Sequence, residues 1–495
     1  LLPPTVGRLA GALAGLDPDL AALVDGQATS YGVLAARGAG DAAWVLALPI
    51  HDGARAAAIL LPADAAAGAS RTEGLLRVVP RTGAAPEVAV ALARAWLLLG
   101  SDERSLRELG PYAYRTLPGK KAPPSEASAV AVVPNSALAG PIAANLVSRW
   151  EGTKAWLAAS DEEQRAKHGG HAPDFGDSHA ILEGLDTLVR RPIALLAGAA
   201  EARVELDVGD DRVRADATVM PGDGGEAGAP LVETIHPGDA TPLGLAPADA
   251  LAAVLLRDDP ADRASSARDV AAALVSALGN RIQGDDVRAV QTALEDWARA
   301  RGEWLTAAVA WGALRGVWIR TPAQDGDAAR RSVRELVGLL RRPAFGEPVA
   351  ASLSLGPVSL GETNVTALGR ATLATFAPVA RHHDSADAAA GIAWGVRDGD
   401  LFVAAGNAAS GLLAREASPS PTLGEYPAVA RALADLGSDA AFALVAQPLR
   451  LDPARAAAEP APAVVAIGRR SGHLWARLDV SDVLLRELVR LGAGF

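Results

Sequence analysis

The densest group of side chains able to do chemistry is the stretch Lys167-His168-Gly169-Gly170-His171-Ala172-Pro173-Asp174-Phe175-Gly176-Asp177-Ser178-His179. Three of the eight histidines of the chain fall in it, accompanied by two aspartates. Imidazole and carboxylate are the natural ligands of zinc and similar divalent ions, and a Gly-Gly pair frees the backbone to fold around one. His168, His171, Asp174, Asp177 and His179 are therefore the candidate metal ligands, and His168, His171, Asp174 and His179 the groups of a metal-dependent hydrolase. The spacing H-x-x-H-x-x-D-x-x-D-x-H follows neither H-E-x-x-H nor an EF-hand loop. The same composition also describes an ordinary solvated connection between two helices, so both readings stand. No other cofactor is indicated.

The remaining chemistry is sparse. His382 and His383 are adjacent, and on a strand they would point to opposite faces, so one ion cannot readily be shared. No G-x-S-x-G or S-x-x-K occurs, and the absence of cysteine removes thiol nucleophiles, disulfides and Cys-type zinc sites together. Gly38-Ala39-Gly40-Asp41-Ala42-Ala43 has dinucleotide-loop spacing but precedes an apolar strand, where a pyrophosphate needs a following helix N-terminus. Gly119-Lys120-Lys121 lacks the first glycine of a phosphate loop. A net charge of -11 with interspersed basic residues argues against a nucleic-acid surface. No run reaches the length of a membrane span; the longest, Val88 to Leu99, is interrupted by Arg94.

The elements that position these residues come from an internal repeat. Trp44 to Gly53 is echoed by Val317 to Gly326, both ending P-x-x-D-G after an apolar strand. Val90 to Gly100 aligns with Val396 to Gly406, each a pair of short strands around a turn, the second showing Asp398-Gly399-Asp400 openly. Val130 to Val133 matches Phe442 to Val445, and Val213 to Val219 matches Leu474 to Val480. Four matches in constant order predict two similar domains, copy one over residues 1–238 and copy two over 240–495, with a helical insertion of about 140–200 in copy one. The expected class is α+β, with antiparallel or mixed sheets and helices packed on one face, because hairpins outnumber strand-helix-strand units. Helices are expected near 102–109, 140–159, 180–198, 264–279, 284–301, 327–341, 425–436 and 481–491, and 87–94 is ambiguous between helix and strand.

With that repeat in view, the chain resembles a broad group of functionally uncharacterised, Ala- and Leu-rich exported proteins of high-GC Gram-negative bacteria. Leu245-Ala246-Pro247-Ala248-Asp249, Val317 to Gly326 and Val396 to Gly406 carry the resemblance. It implies a periplasmic or cell-envelope location and a non-catalytic role, and brings no catalytic residues. The expected function is a non-enzymatic structural or binding component, with a metal-dependent hydrolase and a carrier of an apolar ligand such as lipid as alternatives. Because the chain opens on Leu1 and copy one lacks the start of copy two, several tens of residues, including an export signal or lipid anchor, are expected upstream. A protein partner or homo-oligomer is expected, and Trp150 and Trp156 on the inserted helix are the candidate contacts. Trp297, Trp304, Trp311 and Trp318 recur every seven residues; the first two are expected to end a helix and the others to sit on a hairpin.

Overall fold

In the computed structural model the described residues are 18–36, 42–60, 71–72, 75–78, 88–120, 125–167, 178–222, 235–259, 262–263, 267–272, 275, 284–311, 314–342, 345, 358–365, 371–378, 391–406, 408–417, 420–452 and 460–492. The fold is α+β, with two antiparallel sheets. Two compact units are formed, residues 1–145 with 203–208, and residues 146–202 with 209–495.

In the first unit, β1 (Tyr31–Ala36), β2 (Ala42–Pro49), β3 (Arg71–Thr72), β4 (Leu75–Val78), β5 (Ala89–Ala93) and β6 (Trp96–Gly100) form a sheet in the order β1-β2-β6-β5-β4-β3. The ambiguous stretch 87–94 is thus a strand: Ala89, Ala91 and Ala93 face one core and Leu92 the other. Burial on both faces gives an uninterrupted apolar run that periodicity cannot classify. β6 hands over to the helix Glu103–Pro111, whose first turn is capped by Asp102 accepting from the Ser105 amide at 2.7 Å. Leu106 of that helix packs on Val45, Ala47 and Leu98, and the helix Gly53–Leu60 delivers Ala56 to Leu48, Leu97 and Leu99 on the opposite face. Strand β7 (Ala129–Pro134) lies beside β8 (Ala199–Val208), whose residues 203–208 belong to this unit.

The second unit contains β9 (Arg212–Pro221), β10 (Ala250–Arg257), β11 (Trp304–Trp311), β12 (Arg315–Pro322), β13 (Val358–Val365), β14 (Ala371–Pro378), β15 (Gly391–Arg397), β16 (Asp400–Gly406), β17 (Ala440–Ala446), β18 (Ala463–Arg470) and β19 (His473–Ser481). Their order is β13-β14-β15-β16-β12-β11-β10-β17-β18-β19-β9. Strand for strand, β11-β12-β16-β15-β14-β13 has the order of β1-β2-β6-β5-β4-β3. The helices Gly326–Leu339 and Ala409–Arg415 follow β12 and β16 as Gly53–Leu60 and Glu103–Pro111 follow β2 and β6. The β15–β16 hairpin turns through Asp398 at φ 51° and Gly399 at φ 86°, the left-handed pair a two-residue turn needs. Trp304 starts β11 instead of ending the helix Asp285–Ala300, because Gly302 and Arg301 break the helix first.

The main core of this unit lies on one sheet face. Leu243, Leu412, Leu413, Leu423, Val429, Leu433 and Leu436 from short helices meet Ala253, Leu255, Trp318, Phe402, Ala443, Val445 and Ala466 from the strands. A smaller core on the other face joins Ala329, Val333 and Val337 of Gly326–Leu339 to Trp394 and Leu401, so β15 and β16 carry helix on both sides. Large side chains are few, and the two fully buried tryptophans, Trp318 and Trp394, each fill one of these cores.

Candidate functional site: an open aliphatic sheet face

On strands β12, β11, β10, β17, β18, β19 and β9, residues of one parity build the main core and residues of the other parity point away from it. The pairing register fixes which residues lie side by side. One row across seven strands runs Ile319, Ala307, Val254, Leu444, Val465, Leu478, Ala215. A second runs Val317, Val309, Ala252, Ala446, Ala463, Val480, Val213. A third runs Leu305, Leu256, Phe442, Ile467, Ala476, Ala217. None of these residues carries a polar side-chain atom, and none is fully buried. Leu256, Val309, Val317, Ile467 and Leu478 are 39–45% exposed, the others half-buried by their sheet neighbours.

Seven strands at the usual spacing of about 4.8 Å span roughly 29 Å, and three rows give a patch on the order of 500 Å². Scattered apolar residues on a surface need no explanation, whereas a continuous aliphatic field of this size is at the upper end of what a monomer exposes. At one corner Trp311 lies under the Arg315 guanidinium, 4.9 Å from the ring centroid.

The opposite, helix-covered side of the same strands holds the charge. Arg477 is 8% exposed and donates to Asp216 at 2.5 and 3.2 Å and to the Asp435 carbonyl at 2.7 Å. Arg212 reaches Asp435 at 2.6 Å and Asp479 at 3.2 Å. Burial pushes the Asp479 carboxyl above its ordinary value, opposed by the Arg212 and Arg477 charges. The β9–β19 ribbon is therefore polarised backwards for a soluble sheet, with ion pairs beneath the helix Pro427–Leu436 and Val, Leu and Ala toward solvent.

Of the residues singled out from sequence, His168, His171, Asp174 and Asp177 lie outside the described residues, as do His382 and His383. His179 is the second residue of the helix Ser178–Gly198. Among the described residues no group of three or more His, Cys, Asp or Glu could hold a metal ion. No protein family, curated protein or solved structure matches the chain. The region expected to be a helical insertion contains two helices, Ala143–Lys167 and Ser178–Gly198, tied together around Asp186. There Asp186 accepts from Trp150 Nε1 at 2.7 Å, Lys154 Nζ at 2.9 Å and Arg190 Nε at 2.6 Å. These donors, Lys154 first, hold the Asp186 carboxyl down at about 2. Trp150 thus braces the helix pair, while Trp156 is 66% exposed.

Proposed function

We propose that the chain is a non-enzymatic binding protein of the cell envelope, built from two copies of one α+β unit, whose ligand is the aliphatic part of a lipid and whose working surface is the open face of β12-β11-β10-β17-β18-β19-β9. One observation carries the reading: three cross-strand rows of Val, Leu, Ile and Ala, with Phe442 as their one aromatic residue, lie open on a sheet that buries its charges on the other side. A protein interface of this size carries Tyr, Trp, Arg and Met anchors and hydrogen-bond donors at its centre, whereas here Trp311 and Arg315 stand at one corner and the centre is aliphatic. Acyl chains ask for none of these, since dispersion contacts and water release of about 0.8 kcal/mol per buried methylene supply their binding. The shared strand order of β1-β2-β6-β5-β4-β3 and β11-β12-β16-β15-β14-β13 supports the duplication. The resemblance to exported proteins supports the location.

The test is solvent extraction and mass spectrometry of the untagged protein as purified, followed by titration of the delipidated protein with a fluorescent palmitate analogue. Co-extracted lipid and saturable binding are expected. Absence of both, or a dimer that hides the face with no lipid present, overturns the proposal.

A further inference from the structure

The two ends of the open face differ in charge. Residues of one parity share a face, so the positions one step beyond Val317 on β12 and Val309 on β11 lie on the open side too. They are Arg315 and Trp311, a directly opposed cross-strand pair. The guanidinium stands over the indole ring, and among the described residues no carboxylate pairs with it. Arg315 is exposed, yet its backbone is fixed from both sides. Leu314 packs against the main core, and Gly316 lies so close to its neighbours that a Cβ there would meet the Ala405 carbonyl oxygen and Leu412.

The other charges bordering the face are balanced. Asp249, whose carbonyl accepts the Trp311 amide at 3.1 Å, gives its carboxylate to Arg415 at 2.8 and 3.1 Å. Beyond the third row, at the opposite end, Arg257 meets Glu303, Arg263 and Arg301 share Asp258, and Arg470 meets Asp439. Arg469, which has the parity of Val465 and Ile467 on β18, also has a partner. Among the described residues, the aliphatic field thus ends on one side in an uncompensated positive charge and on the other in ion pairs.

We propose that Arg315 holds the anionic headgroup of the lipid, a carboxylate or a phosphate, and that the acyl chain runs from there along β11 and β12 toward Leu305. This rests on the open face being the lipid surface. A guanidinium offers a planar fork of N–H donors to paired anionic oxygens, and the Trp311 ring keeps it at the corner. An exposed ion pair contributes little, but a bound chain shields one side of this one from water and strengthens it. From Trp311 to Leu305 the strand advances about 20 Å, enough for a chain that fills half of a bilayer core of about 30 Å.

The probes are dodecanoate, dodecyl phosphate and dodecanol, each displacing the fluorescent palmitate analogue from the whole protein. Both anions are expected to bind about tenfold tighter than the alcohol, with a preference that shrinks as salt rises. In Arg315→Gln the preference is expected to vanish while dodecanol affinity stays unchanged; Arg315→Lys keeps part of it and Arg469→Gln all of it. Urea midpoints check that the variants fold. Equal affinity of the unsubstituted protein for anions and alcohol, or an anion preference that survives Arg315→Gln or disappears in Arg469→Gln, overturns the headgroup site and leaves the lipid surface standing. Inorganic phosphate is expected to compete poorly; if it matches dodecyl phosphate, the corner is a site for free anions and the proposal falls. No displacement by any of the three chains overturns the lipid surface and the headgroup site together.

Discussion

Val254 and Leu255 are neighbours on β10 that point to opposite faces, and they separate a binding surface from a core. Leu255 is 0% exposed among Ala308, Ala443 and Val445, while Val254 is half-buried between Ala307 and Leu444 on the open face. Val254→Glu leaves its carboxylate in water as long as no ligand is bound, so folding loses about 1 kcal/mol or less through strand preference. When a chain of methylenes covers the position, about 1 kcal/mol of apolar contact is missing and dehydrating the carboxylate costs several kcal/mol more. Even about 2.7 kcal/mol in total weakens binding about a hundredfold. Leu255→Ala has the opposite signature: about 2 to 5 kcal/mol of stability is lost to a cavity, and the folded fraction binds as before. Palmitate-analogue titration and urea unfolding of the two variants read both quantities. Unchanged binding by Val254→Glu would refute the surface, and a loss of several kcal/mol in its folding stability would show that the face is packed.

Two further outcomes follow from the buried charges. Asp216→Ala leaves Arg477 without its bidentate partner and costs about 3 kcal/mol in urea unfolding, while Asp216→Leu combined with Arg477→Met recovers most of it. Glu416, which accepts from Trp318 Nε1 at 2.9 Å, is held above the ordinary carboxyl range by burial, with Arg320, Arg397 and Arg415 opposing. The folded state therefore binds this proton more tightly, so stability falls as pH rises from the unfolded value of 4.5 through the raised folded one. Glu416→Gln keeps the acceptor oxygen and should flatten that part of the pH profile of unfolding.

Much of the strand framework was legible because short motifs mark it. The P-x-x-D-G ends of β2 and β12 and the Asp398-Gly399 turn require particular backbone geometry, and such geometry shows in residue type. Strands β1, β10, β13 and β14 carry no such mark: glycine at Gly32 and Gly361 and a mixed polar content in Glu362 to Asn364 weaken any period-two signal, and the apolar run Ala250 to Leu256 has no period that separates strand from helix. The candidate surface was hidden for a different reason. β17 and β18 are apolar at both parities, which reads as burial on two faces, and nothing in a sequence separates a face covered by helices from one left open. On β9 and β19 the alternation was visible, but the side was not: Arg212, Arg214, Asp216, Arg477 and Asp479 would be placed outward by their types, and the structure turns them under a helix. The metal-loop residues His168 to Asp177 stay a sequence-level expectation.

On the proposed duplication, the pairing of β9 with β19 has a consequence for how two such copies would come to differ. Its register sets Val213 against Val480, Asp216 against Arg477 and Val219 against Leu474. Aligned as repeats, Val213 corresponds to Leu474, Asp216 to Arg477 and Val219 to Val480, so the ribbon is two-fold about the Asp216–Arg477 pair, where a position meets its own counterpart. Two separate identical chains meeting there would set acid against acid or base against base, a repulsion that burial strengthens. On the proposed duplication, joining the copies in one polypeptide removed that constraint. One half was free to become the anion and the other the cation, and the seam became a contact that neither half could make with its own kind.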